Sequence, residues 1–89
     1  MSSPSNALPT HLQVAVLVFM KSLATPLVLY TDNAVQLYDE IKQIIRTANA
    51  QTPKLIEKQG LGPLKKVAFL DTEISGVAIQ SEPSAAIAR

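Results

Sequence analysis

Hydrophobic positions fall into six short blocks along the chain, and their period changes from two to about 3.6 and back to two. Residues 12–20 form a Val-rich, β-branched run too short for a typical helix, which predicts a first strand. A connection over 21–25 leads to Pro26, which is acceptable at the head of a strand because no ladder donor is required there. Residues 27–31 then predict a second strand, close enough in sequence to pair with the first as a hairpin.

The third block has helical spacing. Ala34, Leu37, Tyr38, Ile41, Ile44, Ile45 and Ala48 recur at three- and four-residue steps and share one stripe, while Asp39, Glu40, Lys42, Gln43 and Arg46 face water. Asp32 or Asn33 is placed to cap this helix, and Gln36 stands where a capping box with Asn33 would have it. Arg46 suits the negative end of the helix dipole, and the helix is expected to fade over 47–51, before Pro53.

Three more strands are predicted at 54–59, 65–70 and 74–80, separated by the Gly60-Leu61-Gly62-Pro63 turn and by Asp71-Thr72-Glu73. Gly76 inside the last one predicts a bulge that lets Ile74, Val77 and Ile79 share a face despite their uneven spacing. The expected fold is α+β: one antiparallel sheet of four to five strands with a single helix on one face, in the order β-β-α-β-β-β. Residues 1–10, with two Pro and three Ser, predict a flexible arm; 11–80 a single domain; and 81–89 a flexible tail.

Leu37-Tyr38 with Ile41, Leu55-Ile56-Glu57-Lys58 after Pro53, Lys65-Lys66-Val67-Ala68, and Glu73-Ile74-Ser75-Gly76-Val77 together resemble an uncharacterised family of short cyanobacterial and red-algal plastid proteins. The hairpin with Pro26-Leu27 is similar too, so the resemblance spans roughly residues 14–80. It implies a small protein of the cyanobacterial cytoplasm or plastid stroma and supplies no chemistry. The chain differs in its ten-residue arm and its longer 60–64 loop.

Composition narrows the chemistry. Eight Lys and Arg against seven Asp and Glu give a net charge of +1, which offers no electrostatic reason for nucleic acid or an anionic membrane as partner. Without Cys there are no disulfides or thiolate sites, and with His11 as the only His a multi-His metal centre is excluded. The longest uninterrupted apolar run, residues 14–20, is far short of a membrane span, and no Lys or Arg precedes Lys21 as a secretory signal requires. A cytoplasmic protein with no metal, no cofactor and no small-molecule ligand is expected.

Individual candidates carry little. His11 reads as a solvated residue at the head of the first strand. Asp39 and Glu40 point about 100° apart on a helix and do not converge, and Asp71 and Glu73 suit a turn. The Gly60–Pro63 loop lacks the following helix that a phosphate cradle needs, and Pro63 removes an amide. Lys54, Lys58, Lys65 and Lys66 would form a basic edge if their strands pair, but no aromatic side chain interleaves with them for base stacking. A small-ligand pocket between helix and sheet, lined by Tyr30, Tyr38 and Phe69, rests on apolar character alone. No nucleophile motif occurs, so catalysis is not expected.

One positive inference remains. In the first strand Leu12, Val14, Val16, Val18 and Met20 point one way, and Ala15, Leu17 and Phe19 the other, so both faces are apolar. A strand of that kind expects cover on both sides, and one helix supplies it on one. Val14, Val16, Leu17, Val18 and Phe19 are therefore the candidate interaction face. The expected function is a non-catalytic protein-interaction module, self-associating through the sheet as a homodimer or meeting another protein. Weak nucleic-acid binding along the lysine edge is the alternative.

Overall fold

The computed structural model describes residues 14–81. Their order is β1 (Val14–Met20), β2 (Leu27–Tyr30), α1 (Ala34–Thr47), β3 (Leu55–Gln59), β4 (Lys66–Leu70), a 3-10 turn at Asp71–Glu73, and β5 (Ile74–Ser81). His11 and the expected arm lie outside these residues, as does the expected tail apart from Ser81, which closes β5.

β1 is the central strand. It pairs antiparallel with β2 on one side, Val16 opposite Leu29, and with β5 on the other, Val16 opposite Ile79. Cross-strand partners share a face, so Val16, Val18, Met20, Leu27, Leu29, Ile74 and Val77 all point to the inner side. The expected bulge is present. Phe19 pairs with Gly76 but Met20 pairs with Ile74, which leaves Ser75 as the extra residue. Without that slip Ile74 would point outward; with it, Ile74 joins Val77 and Ile79 on the inner face.

α1 lies across this inner face, chiefly over β5 and β1. Leu37 and Ile41 are buried beneath it, with Ala34, Ile44 and Ile45 beside them, as the periodicity predicts. The helix start differs from the expected capping box: Asn33 is the N-cap but its side chain makes no capping bond, and Gln36 Nε2 donates instead to Glu40 Oε2 at 3.4 Å. Thr31 Oγ1 accepts from the Asn33 amide at 3.0 Å and takes over the local turn. Beyond the helix, Asn49 Oδ1 accepts from the Gln51 amide at 2.8 Å, turning the chain ahead of Pro53.

The expected single sheet of four to five strands is corrected to two sheets: a three-stranded one, β2-β1-β5, and a two-stranded ribbon, β3-β4. The physical reason lies in coverage. The 14 residues of α1 make a rod about 21 Å long and ~10 Å wide, narrower than three strands at about 4.8 Å each. The ribbon covers what the rod leaves, laying Ile56, Val67 and Phe69 against the same core instead of extending the sheet sideways. Its hairpin loop grips the edge of β2, where the Leu61 amide donates to the Tyr30 carbonyl at 2.8 Å.

Candidate interaction face

Alternation along β1 decides which of its side chains are available. Val16 and Val18 are fully buried in the core, so their place in the expected interaction face is corrected: helix and ribbon already cover them. Val14 shares their side and is half-buried. Leu17 and Phe19 point the other way, Leu17 half-buried and Phe19 38% exposed.

Those two are the centre of a larger surface. Pairing places Val28 opposite Leu17 on one side and Ala78 on the other, and Tyr30 opposite Ala15. The outer face of the three-stranded sheet thus carries Leu17, Phe19, Val28, Tyr30 and Ala78 around a buried Ala15, with Gly76 and Gln80 at its margin and no charged residue. Phe19 lies across from Gly76, where an added Cβ would sit 3.8 Å from its ring, an ordinary contact that leaves room. At the other end Gly62 approaches Tyr30, and a Cβ there would come within 2.5 Å of the ring. Only glycine lets the loop pass that close. The contribution of β2 was readable in the alternation of 27–31, but β5's depends on the bulge register.

The four lysines do not gather. Lys54 precedes β3 opposite Asp71, whereas Lys65 and Lys66 stand at the opposite end of the ribbon, where Lys66 pairs with Gln59. Five residues of strand separate them, roughly 17 Å. Lys58 points to the ribbon's inner side and its Nζ is 2.8 Å from Glu40 Oε1, a charge-assisted bond that holds the Glu40 carboxyl below the usual range, burial opposing it slightly. Lys66 Nζ is 3.9 Å from Glu57 Oε2.

Asp71 does something the sequence reading did not include. It is the only buried charged residue among those described, and its Oδ1 accepts from the Lys54 amide at 2.9 Å while its own amide donates to the Lys54 carbonyl at 2.9 Å. Lys54 and Asp71 continue the β3-β4 ladder by one pair. The Asp71 carbonyl has turned away into the 3-10 turn, where it accepts from Ile74, so the carboxylate takes its place in the ladder. The role is structural.

Among the described residues the three aromatics do not share one pocket: Tyr30 sits under Gly62, Tyr38 lies under Lys42 Nζ at 4.8 Å, and Phe69 is in the core. An open groove of about 420 Å³ runs between the start of β2 and β4, lined by Met20, Leu23, Leu27, Val67 and Leu70 with Glu73, and of the three aromatics Phe69 alone reaches it. Among the described residues no group of three or more His, Cys, Asp or Glu is placed to hold a metal ion, and no helix is long and apolar enough to cross a membrane. No family model, curated protein or solved structure matches this chain.

Proposed function

We propose that the chain is a small non-catalytic protein-interaction module, an assembly or regulatory accessory, whose working surface is the outer face of the β2-β1-β5 sheet. One observation carries this reading: around the buried Ala15, five half-buried or exposed apolar side chains from three strands (Leu17, Phe19, Val28, Tyr30 and Ala78) lie side by side there with no charge among them. Monomers rarely leave a contiguous apolar surface without using it. The partner is a second copy or another protein, and no cofactor takes part. By its resemblance over residues 14–80 its setting is the cyanobacterial cytoplasm or plastid stroma.

Leu17→Glu tests the reading. It is expected to abolish binding through this face, measured as loss of partner capture from native lysate, while the cooperative unfolding transition survives. A variant that unfolds as a core variant does shows that the chain itself covers this face, and sinks the reading.

A further inference from the structure

The three-stranded sheet has two edges, and the structure treats them differently. β2 is four residues long, begins after Pro26, and has its edge taken at Tyr30 by the Leu61 amide. β5 runs for eight residues, contains neither charge nor Pro, and pairs on one side only among the described residues. Natural edge strands are shortened, charged or interrupted because an open ladder recruits another strand. β5 carries just its bulge at Ser75, at the first end of the strand. The rest of the edge is regular and uncharged, half-buried over residues 76–78 and exposed over 79–81, with Ile79 39% accessible.

We infer that β5 pairs antiparallel with β5 of a second copy, about a two-fold axis at Ala78, to make a continuous six-stranded sheet. That register uses the whole strand beyond Ile74: Ala78 meets its own equivalent, Val77 meets Ile79, Gly76 meets Gln80 and Ser75 meets Ser81. Val77 and the exposed Ile79 share the inner face, so each covers the other across the axis. Such an axis stands normal to the sheet and brings both copies of α1 to the same side. Glu40 marks the flank of α1 that faces the ribbon. Tyr38 and Lys42 are about 160° around the helix from it and face the β5 side.

Area favours this edge over a meeting of outer faces. The seven paired residues at about 3.4 Å each, across two layers of ~10 Å each, give about 480 Å² per copy and some 950 Å² in total. Three strands of the outer face give about 340 Å² per copy, or roughly 680 Å² in total. A specific interface needs about 1,000 Å², which the edge approaches and the outer face falls well short of. Edge pairing also doubles the outer face into one surface, so it deepens the proposed function and supplies the size that a single copy lacks.

The absence of native Cys gives a direct test. Ala78→Cys and, as a control, the exposed Gln43→Cys are oxidised mildly and run without reductant. Opposed residues in an antiparallel pair are about 4.5–5.5 Å apart at Cα, within disulfide range. A covalent dimer from Ala78→Cys alone is expected. In sedimentation, Ile79→Lys is expected to be monomeric and Leu17→Ser to remain dimeric. Loss of the dimer in Leu17→Ser with retention in Ile79→Lys overturns the edge in favour of face-to-face contact. A native chain that stays monomeric at about 100 μM, with no Ala78→Cys dimer, overturns the edge but leaves a face that docks a different protein.

Discussion

The two sheets turn one face each to a shared core and differ in what they turn to water. The ribbon's outer side alternates as a solvated strand pair does: Glu57 and Gln59 opposite Ala68 and Lys66, with an ion pair among them, and only the Leu55–Leu70 pair apolar. The three-stranded sheet shows water no charge at all on its outer face. They also differ in how they are held. The sheet grips the core through Val16, Val18 and Leu29, while the ribbon is tied in addition at polar points, Lys58 to Glu40 and Leu61 to Tyr30, and its own ladder is closed by Asp71 and Lys54. A ribbon with a polar outside and polar ties is a cover. A sheet with an apolar outside is the surface we propose for a partner.

The sharpest break of that comparison sets inside against outside on the sheet itself. Leu29 is fully buried, and Leu29→Ala is expected to cost about 2–5 kcal/mol in urea unfolding, because the cavity it leaves cannot collapse completely. Leu17→Ala, on the opposite side and half-buried, is expected to cost about 1 kcal/mol. Equal losses mean that both faces are sealed, and the distinction fails.

Next in size come the ribbon's ties. Gly62→Ala drives a methyl to 2.5 Å from Tyr30 Cδ2, and Tyr30 Cγ and Cβ lie within 3.3 Å, so turning the ring alone does not clear it. A loss of about 1–3 kcal/mol in thermal unfolding is expected, as for an overpacked site. Asp71→Ala leaves the Lys54 amide without its acceptor and is expected to cost about 1 kcal/mol, the low end because that contact is only part-buried. Asp71→Asn, which keeps an oxygen at the same place, should recover most of it. If Asn behaves as Ala does, the carboxylate is not standing in for a ladder carbonyl.

Local pattern made most of the elements legible. The helix stripe from Ala34 to Ala48, the strand blocks and the bulge beside Gly76 all follow from spacing, because period and β-branching act within a few residues. What spacing does not encode is where a hairpin goes once formed. Ile56, Val67 and Phe69 alternate as they would in either arrangement, so the ribbon's position over the core, not beside the sheet, was hidden. The same blindness placed Val16 and Val18 in the interaction face, since an all-apolar strand does not say which side the cover takes. The Asp71–Lys54 bond joins positions 17 apart and leaves no local signature.

The smallest effect asks whether the Lys58–Glu40 tie is electrostatic. Its bond to Lys58 holds the Glu40 carboxyl below the usual carboxylate range. A folded-state pKa depressed in this way stabilises above the unfolded value, near 4.3, and the contribution disappears as pH falls through the folded value. With the Glu40 side chain 44% exposed, solvent screening keeps the pair to about 0.5 kcal/mol or less. Lys58→Met keeps the length of the stem and removes the charge. In urea unfolding its deficit against the native chain should be present at pH 7 and vanish by about pH 3. Added salt should shrink it at pH 7 in the same direction. The absence of any deficit at any pH or salt assigns the tie to packing of the lysine stem, which Met retains, and the ribbon would then be held on that side as the sheet is, by apolar contact alone.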